Sequence, residues 1–544
     1  MKPSSPSRVP RFALFVLWIC WLGAGSVRAN VFASDIRLNG SPRVGVILPG
    51  TSVTISYVLN DNADAGVWIK ILSRTNVIKT FSSTNGAAGA SAGLNTVIWD
   101  GSFDHGTNSY LGTFTVSITA ASEGYDDWTN ITDDGTNFTV LVPRGIAVNQ
   151  NTNSPYYGRV FVANAIDPYG IFKFNADGSP ADEGNFSPWV GGDLVHYSPW
   201  KMAISRDDRV YVDDLSGSGV VFACDQLIST NCYTAIGTDN YPTNDASPYL
   251  SGLAVTGSGT NTQIWMADGQ TNGDSEGIIV WSAAGNGLAA TNDTGTIVAP
   301  VDATNSLSFA PWDVALNTND SIFVIQSVTN DGADAPLMDF PPFRGSPETN
   351  TNWAIGYGDP DLMAASGLAV NPAATYVAVA VRGPGDEEYQ GGALNLYTAN
   401  DGTFLTNLDQ TGGDRYYDVA WDAVGNLYAL DDNAQVWRVY SPPGSNQSTT
   451  IAAPFIQAYN KITAPVLHNP VLGMNGLRLT LYGQSNITYV VQYSPDLVNW
   501  TPVATNYSPN AVRNVCVPYS SIYNITGNGP GPSGQAYLTV VSVP

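Results

Sequence analysis

The chain is expected to be all-β, with an immunoglobulin-like β-sandwich followed by a six-bladed β-propeller and a small C-terminal sandwich-like β-domain. Three observations predict this. Short apolar runs alternate with polar residues and are separated by Gly, Asn, Asp and Pro along the whole chain, as half-buried strands joined by tight turns require. After the first residues no stretch keeps a helical apolar period. In the middle of the chain one strand motif recurs six times, and such internal repetition points to a stacked or radial architecture.

The chain opens with Lys2, Arg8 and Arg11, an apolar run from Phe12 to Leu22, and small residues up to Val27-Arg28-Ala29. A basic start, a short apolar segment and a small residue before the cut make a secretory leader, so residues 1–29 are read as a signal peptide. The apolar run is too short for a membrane helix, and no later one is longer. Cys20 lacks the preceding small residue of a lipoprotein site. Export to the periplasm, the cell surface or the medium is expected.

Cleavage there removes Lys2, Arg8, Arg11 and Arg28 and no acidic residue, leaving 18 basic against 46 acidic side chains and a net charge of −28. A surface so acidic cannot hold a phosphate backbone, which excludes nucleic acid as a partner. It suits cations and solubility. Of the remaining cysteines, Cys224 and Cys232 are close enough to close a short loop in an oxidising compartment, and Cys516 is left over.

The mature length exceeds what one core organises, and three units are expected. In residues 30–142, Val53, Ile55, Tyr57 and Leu59 share one strand face, and Val67, Ile69 and Ile71 share another. With the segments around 96–99, 113–119 and 138–142, this is a sandwich pattern. The strings ISYVLN, VWIKIL, LNTVIWDGSFDHG and LGTFTVSITA resemble the FlgD-like immunoglobulin-like domain of bacterial surface and secreted proteins. The resemblance implies a turn at Trp99-Asp100-Gly101 and says little about ligand.

Residues 143–460 hold the repeat. Its inner-strand copies are GIAVN at 145, KMAIS at 201, GLAVT at 252, DVALN at 313, GLAVN at 367 and DVAWD at 418, starting 51 to 61 residues apart. Each is followed by a second strand: RVFVANA, RVYVDD, QIWMAD, SIFVIQ, TYVAVAV and NLYALDD. That spacing accommodates four strands and their loops, so six copies imply six blades around a channel, with Val140 and its neighbours placed to complete the last. The repeat resembles the NHL-type and related six-bladed propellers. In residues 461–544, LRLTLYGQSNITYVVQYSPDLVNWTPVATN resembles a small terminal β-domain of secreted bacterial proteins, which implies a structural or attachment role.

His105, His196 and His468 fall in three different units, so a histidine metal centre or a Ser-His-Asp site is not expected. Gly273-Asp274-Ser275-Glu276-Gly277 matches a nucleophile-elbow pattern but lies between two propeller strands, without the helix that such an elbow needs. The same loop offers Asp268, Asn272, Asp274 and Glu276 as oxygen ligands for calcium. The plainer reading, which these residues favour, is a solvated hairpin rich in turn formers.

In a propeller, the loops leading into inner strands and those leaving second strands open on one face. The first set brings Ser198-Pro199-Trp200-Lys201, Ala310-Pro311-Trp312-Asp313 and Tyr416-Tyr417-Asp418; the second brings Asn164, Asp213, Asp214, Asp268, Gln326, Arg382, Asp431 and Asp432. Trp200, Lys201, Trp312, Asp313, Arg382, Tyr416 and Asp431 are therefore the candidate ligand residues, since rings with planar polar groups suit a carbohydrate or a peptide. Trp200 and Trp312 also fit a second role, as wedges between blades. The functional expectation is a secreted or cell-surface binding or scaffolding protein; the alternatives are a divalent-metal-dependent propeller lyase or lactonase acting on sugars, and a purely structural surface protein. Nothing in the sequence sets an oligomeric state.

Overall fold

The computed structural model describes residues 31–42, 45–47, 52–84, 88–104, 112–181, 199–215, 219–228, 232–237, 240, 250–269, 277–283, 287–290, 293–302, 305–326, 335–355, 362, 364–382, 392–409, 415–458, 466–473, 476–482, 487–494, 500–508, 512–518 and 537–543. Strands dominate, with a few short 3-10 turns such as Thr136–Phe138, and no helix among the described residues is long and apolar enough to cross a membrane.

Six sheets among the described residues make the propeller. Their inner strands are Pro143–Val148, Pro199–Ile204, Leu250–Thr256, Pro311–Leu316, Ala365–Val370 and Tyr416–Trp421, which define blades 1 to 6. Each inner strand packs on the next, and that of blade 6 packs on that of blade 1, so the ring is closed. The alternation of each strand sends one set of side chains to the preceding blade and the other to the following one. Ile146 and Val148, for example, join the core between blades 6 and 1, while Ala147 joins that between blades 1 and 2. This is why nearly every second-strand residue is apolar: both faces of a blade are covered.

Closure of blade 6 uses chain from before blade 1. Its outer strand is Thr129–Asn130, paired with Val436–Ser441, and further on Val140 N–H donates to Gln435 C=O. Joining the two ends of the repeat in one sheet leaves the ring without a free seam.

Preceding the propeller is a sandwich of two sheets around one core. One sheet orders Ala33–Leu38, Val53–Leu59 and Gly93–Trp99; the other orders Gly45–Ile47, Gly444–Ala458, Gly112–Tyr125, Gly66–Ser73 and Asn76–Ser83. Ile55, Tyr57, Val67, Ile69, Trp99 and Val116 meet between them. Here the structure departs from the expected division of the chain. Residues 444–458, placed by the repeat spacing at the end of the propeller, return as a long strand against Gly112–Tyr125 and parallel to Gly45–Ile47. The propeller is thus inserted between two neighbouring strands of the sandwich. Asn446 fixes the return, its Oδ1 accepting from Val31 N–H at 3.2 Å and its Nδ2 donating to Val31 C=O at 2.9 Å.

The sandwich touches the end of the propeller where inner strands finish. Phe32 packs on Tyr157, with ring centroids 5.1 Å apart, and on Ala423 and Val424. Gly158 makes the approach feasible, since a Cβ there would sit 2.5 Å from Phe32. The opposite end of the propeller, where inner strands begin, faces away from this contact. Residues 466–543 add two further three-stranded sheets around Leu481, Tyr489, Val491 and Val517.

Candidate ligand-binding rim

The six inner strands share one irregularity. In each, the pairing with the second strand slips by one residue near its start, between Ala163 and Asn164 opposite blade 1's strand, and at Pro199/Met202, Leu250/Gly252, Pro311/Asp313, Ala365/Gly367 and Tyr416/Asp418 in the others. A bulge inserts an unpaired residue and re-aims its side chain. The bulge positions carry Arg144, Trp200, Ser251, Trp312, Ser366 and Tyr417, and the next residues are Gly145, Lys201, Gly252, Asp313, Gly367 and Asp418. Blades 2, 4 and 6 thus pair an aromatic with a charge, while blades 1, 3 and 5 pair a polar residue with glycine. Six large side chains cannot share the narrow end of a close-packed channel; three can. A Cβ at Gly252 would lie 2.4 Å from Asp313 Cα, and one at Gly367 would lie 2.6 Å from Asp418 Cα. Ser251 and Ser366 bind the neighbouring backbone, donating to Pro311 C=O at 3.0 Å and to Tyr416 C=O at 2.8 Å.

The inner of these two layers closes the channel. Lys201 leaves blade 2 and crosses the axis, its Nζ lying 3.0 Å from Asp313 Oδ2 of blade 4 and 2.6 Å from Asp418 Oδ1 of blade 6, and it donates to Ser366 C=O of blade 5 at 2.8 Å. All three side chains are buried. Backbone amides answer the carboxylates: Val314 and Leu368 N–H donate to Asp313, and Ile146 N–H donates to Asp418. Burial would pull the Lys201 ammonium down, but the two carboxylates more than offset it and hold it above its ordinary value. Burial pushes Asp313 and Asp418 up, against the pull of Lys201. Asp213, whose Oδ1 accepts from Lys201 N–H, is buried, and burial holds its carboxyl well above the usual range. Below this layer a channel of about 490 Å³ runs to the other face, lined by the alanine of every repeat copy: Ala147, Ala203, Ala254, Ala315, Ala369 and Ala420.

The outer layer is a cluster of rings and guanidiniums. Trp200 meets Trp312 edge-on at 6.4 Å between centroids and Tyr417 at 6.1 Å. Arg144 lies over Tyr417 at 3.9 Å and Trp200 at 5.5 Å; Arg382 lies over Trp312 at 4.9 Å and Tyr417 at 5.3 Å. Such cation–π contacts hold a guanidinium in place without neutralising it. Arg144 is also ion-paired with Asp432 at 2.8 Å. Trp200, Trp312, Arg144 and Arg382 are half-buried.

Of the residues singled out from sequence, the structure brings Trp200, Trp312 and Arg382 together at this rim and places Lys201 and Asp313 directly beneath them. Two lie elsewhere. Tyr416 points into the core between blades 5 and 6, where its hydroxyl meets Asp409, Tyr440 and Arg438; the bulge gives its rim position to Tyr417. Asp431 is fully buried, ion-paired with Arg438 at 2.9 Å, and accepts from Asn433 and Ala434 N–H. Asn164 and Gln326, at the same strand position, bind neighbouring backbone in the same way. Arg144 is missing from the sequence reading; its signal is the alternation of the aligned copies. Asp268 is buried at the end of blade 3's second strand, while Asn272, Asp274 and Glu276 lie outside the described residues, as do His105 and His196. Cys224 and Cys232 are joined by a disulfide, and Cys516 is free and exposed.

No family model matches the chain, and no curated protein does. Solved structures similar to it include a glucose dehydrogenase (15% identity, 56% of this chain and 96% of that one, TM-score 0.36). Another is the soluble aldose sugar dehydrogenase of Escherichia coli in its apo-form (12% identity, 60% and 99%, TM-score 0.39). A third is a β-propeller domain from Myceliophteria thermophila (10% identity, 76% and 99%, TM-score 0.33).

Proposed function

We propose that this is a secreted or cell-surface binding protein that holds a carbohydrate or peptide ligand on the propeller rim formed by Arg144, Trp200, Trp312, Arg382 and Tyr417. The observation that carries the reading is the meeting of three rings from alternate blades with two guanidiniums stacked on them, at the end of the propeller that the sandwich does not touch. Rings offer flat apolar area and the guanidiniums offer directed donors, the combination that orients a polar ligand. The layer beneath is shut by Lys201, so the rim is a shallow floor and not the mouth of a through-channel. Export is supported by the leader sequence and by the Cys224–Cys232 disulfide, which belongs to an oxidising compartment.

The test is a glycan and peptide array probed with the mature protein, repeated with Trp312→Ala while its melting temperature is followed. Weakened binding with a nearly unchanged melting temperature supports the reading. A large loss of stability with unaltered binding makes Trp312 a wedge and removes the rim's main ring. We also propose, on the strings quoted above, a FlgD-like character for residues 30–142 and an NHL-type propeller. Calcium at Asp268, Asn272, Asp274 and Glu276 is a further proposal, and a melting temperature unmoved by chelator and by added calcium would remove it.

A further inference from the structure

We infer that the rim ligand is an acidic glycan, a sugar chain bearing carboxylates, with Arg382 receiving the carboxylate. This rests on the reading of the rim as the ligand site and narrows its ligand. The mature chain carries 18 basic side chains against 46 acidic ones, yet Arg144, Arg382 and Arg415 gather at neighbouring blades on one end. Asp432 joins two of the three, its N–H donating to Arg415 C=O and its carboxylate pairing with Arg144. Among the described residues, Arg382 has no carboxylate partner.

The unsatisfied groups point the same way. The Arg382 Nε, the Arg415 Nε and the Trp200 Nε1 are all buried without a hydrogen-bond partner among the described residues. All three are donors. A buried donor without a partner is costly, and it leaves the half-buried Arg382 guanidinium at the rim with donor capacity that an acceptor-rich ligand can use. A carboxylate matches the planar fork of a guanidinium, and ring and glycosidic oxygens supply further acceptors. A peptide backbone brings as many N–H donors as acceptors, whereas the rim's polar groups nearest the rings are the Arg144 and Arg382 guanidiniums, which only donate. Both guanidiniums flank Tyr417, Arg144 compensated by Asp432 and Arg382 not, so an acid group near that ring meets Arg382 across a floor that is otherwise aromatic.

The experiment is calorimetric titration of the mature protein with a panel of uronate oligosaccharides, their methyl esters, neutral and sulfated oligosaccharides of equal length, and a glutamate hexapeptide. Wild type is compared with Arg382→Gln, Arg382→Lys and Trp200→Ala, each checked for an unchanged melting temperature. The expected result is binding of at least one uronate oligomer, lost on esterification, about 10- to 100-fold weaker in Arg382→Gln and intermediate in Arg382→Lys, because a point charge replaces a fork. Equal binding of neutral sugars, weakened by Trp200→Ala but not by Arg382→Gln, overturns the acidic-glycan inference and leaves the rim as the site. Preference for the sulfated sugars or the hexapeptide also overturns it. Binding by nothing on either the panel or the arrays overturns both.

Discussion

The Lys201 ammonium lies 2.6 Å from the carboxylate of Asp418, a residue four blades onward in sequence and across the axis from the strand that carries it. With Asp313 at 3.0 Å on a third blade, this ion triad ties blades 2, 4 and 6 at the point where the ring is tightest. Removing one partner leaves the others charged and buried, which is more damaging than the pair's own net contribution. Lys201→Met is expected to lose about 3–5 kcal/mol of stability. The triple variant Lys201→Met, Asp313→Asn, Asp418→Asn should recover most of it. Denaturant unfolding of the two proteins decides this; equal losses in both would show that the triad's charges do not set the cost.

The glycine positions between the triad strands give a second prediction. Gly252→Ala places a Cβ 2.4 Å from the Asp313 backbone, and backbone cannot swing aside as a flexible side chain can. A loss of about 1–3 kcal/mol or more is expected. Ser251→Ala, one residue earlier, gives up the hydrogen bond to Pro311 C=O and should cost only about 1 kcal/mol. Thermal melts of the two neighbours should therefore differ clearly, and identical melting temperatures would refute the packing account.

Asp339 in blade 4 supplies a pH test. It is buried, accepts from Asn352 Nδ2 at 2.8 Å, and its other oxygen has no partner among the described residues. Burial raises its carboxyl from 3.8 to about 6. The folded protein then holds this proton more tightly than the unfolded chain does. Its contribution to stability is full below about pH 4 and is lost as pH rises through about 6. Asp339→Asn removes the charge, so the variant should be more stable than wild type at pH 7, by on the order of 2 kcal/mol, and should show no such advantage near pH 4. A stability difference that does not change between these pH values would contradict the assignment.

The Cys224–Cys232 disulfide closes a loop with a sequence separation of 8. So short a loop restricts the unfolded chain modestly, and the double variant Cys224→Ser, Cys232→Ser should lose about 2–3 kcal/mol. Reductant should lower the wild-type melting temperature toward that of the variant and leave the variant unmoved.

Much of the propeller was legible because a repeat is a local pattern counted along the chain. Six copies of an inner strand with its partner make six blades, and their ring of contacts follows from each strand needing cover on both faces. The rim was half legible. Trp200, Trp312, Lys201, Asp313 and Arg382 stand at fixed places in the repeat, so alignment gathers them on one end. Tyr416 was misplaced because strict alternation does not reveal a bulge: the extra residue turns Tyr417 toward the axis and leaves Tyr416 facing the core between blades.

By itself, the sequence determined the strand-rich class, the blade count and which residue types crowd the propeller's narrow end, because each depends on composition or on short spacings. Only the tertiary structure decided that residues 444–458 return to the first sandwich, that Lys201 reaches three other blades, and that Arg144 joins the rim. Those relationships connect positions hundreds of residues apart, as Asn446 and Val31 are, and are set by strand pairing and by the space left after packing. Neither leaves a periodic trace along the chain.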